Sequence, residues 1–397
     1  VNAYIPYGAY WSTPFVKWQG AFAELHALRF AAWTAARALA KRGIDPAGFD
    51  FGVLGMTVPQ RGSFYGLPWL AGELGAPQIG GPTISQACAT SARCLTVAAQ
   101  EVASGEAQAA LVVAADRVSN GPHLYYPAPS ASGGTGEAEN WVLDNFARDP
   151  FAGVAMIATA ENCAAKWGLS REAQDAVTLQ RHAQYAEALA SGFHARFMDL
   201  PFEVPDPRFR RIIGAVEGDT GVHATTAEGL AALRPVQDGG TVTYGGQTHP
   251  ADGNAGLIVA SRARARDLSR SPHIAVRIRG FGQARVEPAF MPAAPVPAAR
   301  RALDAAGLNI AEIDAVKSHN PFAVNDLVFA AETGFPLEAM NNNGCSLVWG
   351  HPQAPTGLRA IIELIEELAM RGGGRGLFHG CAAGDTAMAV VIEVGDD

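Results

Sequence analysis

Charge is scarce in this sequence. Only 17% of its 397 residues are charged, and acidic side chains outnumber basic ones to give a net charge of -8. A broad basic surface for nucleic acid is therefore not expected, although a few local cations would suffice for an anionic ligand. Cysteine is sparse as well. The five, Cys88, Cys94, Cys163, Cys345 and Cys381, form an odd set with no CxxC pair. That argues against a disulfide framework or a cysteine-rich zinc site within the chain, and fits reduced thiols in the cytoplasm. No apolar run approaches a membrane span. The first residues, VNAYIPYGAYW, lack a basic stretch followed by a long apolar core, so they do not read as a secretory signal. Paired carboxylates are missing too, since Asp116, Asp252 and Asp385 stand isolated.

What is present is a large apolar content, 48%, with 44 glycines. The length suits two domains or one large composite domain. Apolar periodicity predicts a helix over 24–42 closed by Gly43, a strand over 49–56 and a short helix ending at Gly75. The run AALVVAA at 109–115 suits a strand buried on both faces. From Arg117 to about Gly246 the pattern changes to loops and helices, including 151–167 and 171–191, the latter behind Ser170 as an N-cap. This region reads as an insertion that walls a binding site. Apolar strands and helices then return, with a long helix over 358–371 and a hairpin over 377–394 that carries HGCAAGD at its tip. The two flanking regions are weakly alike, which hints at a duplicated α/β unit. The resulting division is 1–116 with 247–270, an insertion at 117–246, and 271–397.

Three stretches carry candidate chemistry. PTISQACATSARCL places Cys88 at the start of an alanine-rich helix, where backbone N–H groups favour a thiolate, although a small buried apolar cysteine would look the same. His351 sits between Gly350 and Pro352, a rigid mount for a base that activates a cysteine. Cys381 lies among small residues that let a substrate approach the backbone. His319 follows a strand-like segment and is placed to hold a water or a carbonyl. His379 shares a strand face with Cys381 and could reach the same site, and His249 is a candidate pocket wall.

Taken together, QACATSA around Cys88, TAEN at 159–162, LSREAQD at 169–175, TTAEGLAALRPV at 225–236, GTVTYGG at 240–246, Gly350-His351-Pro352 and GCAAG at 380–384 resemble the thiolase family over nearly the whole chain. The resemblance implies a layered αβαβα fold of two similar α/β halves with an inserted helical loop domain, in a homodimer core. It implies reversible thiolysis of a 3-oxoacyl-CoA, with coenzyme A as co-substrate, no covalently bound cofactor and no metal in the chain. Cys88 would accept the acyl group, His351 would activate it, and Cys381 would be the second acid/base. His319 would hold a water in an oxyanion hole, in the run His319-Asn320-Pro321-Phe322 where many thiolases carry Asn-Glu-Ala-Phe.

Thr248 would contact the pantetheine arm. The family's nucleotide-clamping arginine falls at Val222 here, so Arg208, Arg210 and Arg211 are the candidate replacements. Other departures resemble thiolases that work with a small zinc-containing OB-fold partner, among them those of anaerobic toluene degradation. That implies (S)-2-benzoylsuccinyl-CoA as substrate, cleaved to benzoyl-CoA and succinyl-CoA. Tyr125, Tyr126 and Trp349 are expected to give aromatic walls, and Arg93, Arg117 or the Arg208–Arg211 cluster to meet the succinyl carboxylate. The alternatives are a thiolase for short or branched linear 3-oxoacyl-CoA, a condensing enzyme of the same fold, and a non-catalytic scaffold subunit.

Overall fold

The computed structural model describes residues 2–396. Eleven strands form one sheet, and two small hairpins stand apart from it. The first six sheet strands are β1 (Ala3–Tyr4), β2 (Tyr10–Ser12), β3 (Val16–Lys17), β4 (Phe51–Gly55), β5 (Thr83–Ile84) and β6 (Ala109–Arg117). The hairpins pair β7 (His123–Tyr126) with β8 (Glu137–Asn140) and β9 (Phe202–Pro205) with β10 (Ile212–Val216). The sheet resumes with β11 (Ala251–Ala260), β12 (Ile274–Arg285), β13 (Ala315–His319), β14 (Gly374–Ala382) and β15 (Thr386–Asp396). Its order is β13-β14-β15-β12-β1-β11-β6-β4-β5, with β2 and β3 also paired to β11. Two-residue β1 bonds to both β11 and β12 and so joins the N-terminal strands to the C-terminal ones.

Five layers follow from how side chains alternate on these strands. On β6, Ala110, Val112 and Ala114 pack inward on α3 (Thr90–Ser104) and α12 (Thr356–Met370). Leu111 and Val113 pack outward on α1 (Ala27–Lys41) and α2 (Leu67–Glu73). On β15, Val390 and Ile392 meet the same central helices, while Ala389 and Val391 face α9 (Pro295–Ala306) and α10 (Ala323–Thr333). A central helix buried by sheet on both sides needs small contact residues. A Cβ on Gly357 of α12 would come within 2.8 Å of the Ser91 Cβ on α3, so glycine sets that approach.

Between β6 and β11 the chain adds no strand to the large sheet. It holds the two hairpins and α4 (Leu143–Ala147), α5 (Met156–Trp167), α6 (Arg171–Ala190) and α7 (Ala227–Ala231). Ser170 caps α6 by accepting from the Ala173 N–H. The hairpins were not legible in the sequence, because all four strands are short and three of them, β7, β8 and β10, are largely exposed and bury too little to impose an alternating pattern. The remaining helices are α8 (Arg262–Leu268) and the one-turn α11 (Ser346–Trp349). One further correction concerns the C-terminal hairpin. His379 to Ala382 continue strand β14, so Cys381 is a strand residue, and only Ala383 to Asp385 make the turn. Among the described residues no helix is long and apolar enough to cross a membrane.

Candidate active site

Cys88 lies two residues before α3, after Ala87, whose φ of 44° is left-handed. Such a conformation costs an alanine about 1–2 kcal/mol. It is held by the Thr90 hydroxyl, which donates to the Ala87 carbonyl and accepts from the Gln86 N–H. The bend turns the half-buried Cys88 toward a cavity of about 510 Å³.

His351 reaches the same point from the other half of the chain. It follows Gly350, whose φ is 96° and whose missing Cβ leaves room for the His249 ring; an added carbon would sit 2.8 Å from His249 Nε2. The His351 N–H donates to the His249 carbonyl. Asp116, at the end of β6, accepts from the Ala354 N–H, the Thr57 N–H and hydroxyl, and the Val58 N–H. Burial pushes this carboxyl up to about 7, and the donors oppose that rise. The isolated acid of the sequence is thus a clamp that ties the histidine turn to the N-terminal half.

His351 Nε2 is 3.1 Å from Cys88 Sγ, and His351 Nδ1 is 2.7 Å from the Thr356 hydroxyl. His319, at the end of β13, stacks on His351 with ring centres 4.1 Å apart. The ligating atoms of Cys88, His319 and His351 all lie within 4.8 Å of one another. The tautomer of His319 follows from its neighbours. Asn320 Oδ1 accepts from the Leu347 N–H, which fixes that amide, so the single proton of the Ser346 hydroxyl goes to Asn320 Oδ1. The Ser346 oxygen must then accept from His319 Nδ1–H at 2.9 Å. His319 Nε2 is left as a bare acceptor, with no hydrogen-bond partner among the described residues.

Burial sets the protonation states. It pushes the Cys88 thiol up to about 12, against the Ala383 N–H that favours the thiolate. It holds His351 down at about 3, and, with help from His351 and His379, lowers His319 well below its ordinary value. The helix start therefore does not give a resting thiolate, contrary to expectation. Desolvation wins, and the resting pair is a thiol beside a neutral imidazole. Cys381, fully buried on β14, is also raised, by burial first and by Cys88 second. Its sulfur accepts from the Asn325 amide at 3.2 Å.

A model of the thiolase N-terminal domain matches residues 9–263, and one of the thiolase C-terminal domain matches 272–394. The chain belongs to the thiolase family. It is 30% identical over 385 residues to an acetyl-CoA acetyltransferase of Pseudomonas aeruginosa, covering 95% of both chains. It is 32% identical over 323 residues to one of Escherichia coli, covering 80% of each. Its fold superposes on the Bacillus anthracis acetyl-CoA acetyltransferase with a TM-score of 0.90 at 26% identity, over 99% and 98% of the two chains. The human mitochondrial 3-ketoacyl-CoA thiolase in complex with CoA gives 0.87 at 26% identity, over 98% and 97%. This thiolase is accordingly an acyl-CoA acyltransferase, with a Cys88–His319–His351 cluster at its centre.

Other candidates fall in different places. Thr248 lines the Cys88 cavity and an adjoining one of about 650 Å³, which share Tyr244, Gln247 and Pro250. His249 lines the second cavity. Arg208, Arg210 and Arg211 line neither: they sit at the β9–β10 turn, where Asp206 accepts the N–H of the latter two. Tyr125 and Tyr126 are exposed on the β7–β8 hairpin, and Trp349 is buried against Phe15 and Arg359. None of these three rings lines the Cys88 cavity, so the expected aromatic wall is corrected to Phe146, Tyr244 and Phe322, with Met156, Ile157 and Met291 beside them. Arg93 pairs with Gln86 and Gln283, and Arg117 with the Leu25 and Asn120 carbonyls, also off the cavity.

His379 shares a buried face with Cys381 but stacks on Phe329, ring centres 3.9 Å apart. Burial holds it down at about 4. Its unfolded counterpart titrates near 6.5, so the folded protein binds fewer protons between those values and loses stability as pH falls through that window. His379→Phe should remove this loss. Urea unfolding at pH 7 and pH 4 is expected to show a fall in stability smaller by up to about 3 kcal/mol in the variant. An unchanged difference would show that His379 does not carry the acid sensitivity.

Proposed function

We propose that this thiolase cleaves a 3-oxoacyl-CoA with an uncharged, apolar acyl group, short or branched, through an acyl intermediate on Cys88. The observation that carries the reading is the 3.1 Å contact between Cys88 Sγ and His351 Nε2 beside an apolar cavity. In the proposed sequence His351 Nε2 takes the Cys88 proton as the sulfur attacks the C3 carbonyl. That role requires Nδ1–H to donate to Thr356. The bare Nε2 of His319 suits a water whose second hydrogen points at the developing oxyanion. The C2–C3 bond then breaks, and Cys381 gives its proton to C2 of the departing enolate. Free CoA returns a proton to Cys381 and attacks the acyl group. Cys88 leaves and recovers its proton from His351.

The adjoining cavity supports binding of CoA, with Thr248 at the junction and Lys17, His182 and His223 on its wall in place of the arginine lost at Val222. The edge strand β5 supports a homodimer core, and the 117–246 segment is proposed as the loop domain over the ligand. The reading takes the linear or branched substrate in place of (S)-2-benzoylsuccinyl-CoA. Among the described residues no lysine or arginine lines the Cys88 cavity to meet a succinyl carboxylate. The zinc-bearing OB-fold partner was expected only through that narrower resemblance and forms no part of the proposal.

An unpaired carboxylate desolvated in this cavity would cost about 3 kcal/mol or more, about 100-fold in kcat/KM. Thiolysis of acetoacetyl-CoA, 2-methylacetoacetyl-CoA and benzoylsuccinyl-CoA should therefore show the last disfavoured by at least that factor. A preference for benzoylsuccinyl-CoA would overturn the substrate reading and leave thiolase chemistry standing.

A further inference from the structure

We infer that Asn325 is a positioning residue for the proton step at Cys381, holding the sulfur with its amide N–H and favouring the thiolate over the thiol. The inference rests on the acid/base role proposed for Cys381. Asn325 stands in the first turn of α10 and is fully buried. Its Oδ1 accepts from the Phe322 N–H at 3.2 Å, a backbone donor that the start of a helix leaves without an intrahelical partner. With the oxygen so engaged, Nδ2 must turn to the other side, where it meets Cys381 Sγ at 3.2 Å. A flipped amide would set two donors against each other at Phe322 and present an oxygen to the sulfur. The helix cap therefore fixes which end of the amide faces the cysteine.

The environment of Cys381 makes this donor matter. The ionisable groups facing it from neighbouring elements include Cys88 before α3 and Cys163 on α5, both held as neutral thiols by burial, so neither offers a positive charge to a negative sulfur. His379, two residues earlier on β14, is held neutral by burial. The adjacent Asp326 is engaged by Arg181, Ser318, Asn320 and Asn341. Asn325 provides the side-chain hydrogen bond that eases ionisation of Cys381. A hydrogen bond to a charged acceptor is stronger than one to its neutral form, so the amide helps most when Cys381 has given up its proton. A neutral amide is also far too weak an acid to give up its N–H proton, which leaves the shuttle to the sulfur.

The test separates the proton step from the nucleophile. Exchange of the α-protons of acetyl-CoA in D2O reads Cys381, and alkylation by iodoacetamide, followed by mass spectrometry of the Cys88 peptide, reads Cys88. Asn325→Asp keeps the cap acceptor and replaces the donor with oxygen. It should slow exchange about 10- to 100-fold and move the exchange profile to higher pH, with Cys88 alkylation within about twofold of wild type. Asn325→Gln keeps the amide and should exchange faster than Asn325→Asp despite its extra length. Asn325→Ala, which loses cap and donor together, reports the same split if the aspartate variant folds poorly. An unchanged exchange rate and pH profile, or equal losses in exchange and alkylation, would overturn the inference. Cys381→Ala distinguishes the two levels. If it exchanges like wild type, the acid/base role of Cys381 itself fails; if it is inactive while Asn325→Asp matches wild type, only the role of Asn325 fails.

Discussion

Replacing Cys88 with serine is expected to lower the thiolysis rate by about 10,000-fold or more, with the fold and CoA binding retained. A thiol pushed up to about 12 can still pass its proton to His351 as attack proceeds, because the sulfur is a strong nucleophile and a good leaving group. A serine hydroxyl in the same buried position is harder to ionise and gives an ester in place of the thioester, so neither acylation nor return of the acyl group to CoA keeps pace. The change exchanges one atom at the cavity edge, and stability should hardly move. Mass spectrometry of the enzyme after incubation with a 3-oxoacyl-CoA should find the acyl group on the Cys88 peptide of wild type and none on the variant. Undiminished turnover in Cys88→Ser would remove Cys88 from the reaction.

The second large effect is expected at His351. With its pKa held at about 3 by burial, this ring is neutral over the working range, which is the form a base requires. His351→Ala should lower kcat by about 1,000-fold, within the usual contribution of a positioned base. It should also slow alkylation of Cys88 at neutral pH, because the sulfur must then lose its proton to solvent. The remaining reaction should quicken steadily as pH is raised toward the thiol's own value. Wild type should depend on pH less steeply, since the acceptor is already 3.1 Å from the sulfur. Equal alkylation rates in wild type and His351→Ala at neutral pH would exclude the activating role.

The parts of the site that were legible in the sequence have local causes. Cys88 is announced by small residues running into an alanine-rich helix, and His351 by a glycine and a proline that fix a turn. The strand β6 is legible because both of its faces are apolar, and α6 because Ser170 caps it. What sequence reading missed depends on partners distant along the chain. Asp116 looks like any isolated acid until Ala354, 238 residues later, turns its N–H toward it. Ser346 gives no sign that it orients His319, and Asn325 none that it serves a helix end and a sulfur together. Residue type misled as well: Trp349 beside the histidine turn suggested a pocket wall, but its large apolar ring is better buried in the core, where Arg359 lies over its face.

The Asp116 clamp has a consequence for the chain while it is being made. Cys88 and His351 are 263 residues apart, and the contact that fixes the histidine turn to the first half spans nearly as much of the sequence. A nascent or truncated polypeptide ending before Ala354 carries Cys88 without the contact that seats the His351 turn against it. In such an open chain the sulfur is an ordinary exposed thiol, freer to ionise than the buried one but with no base, oxyanion hole or substrate cavity built around it. The site is complete only when the segment from His351 to Cys381 has joined the first half.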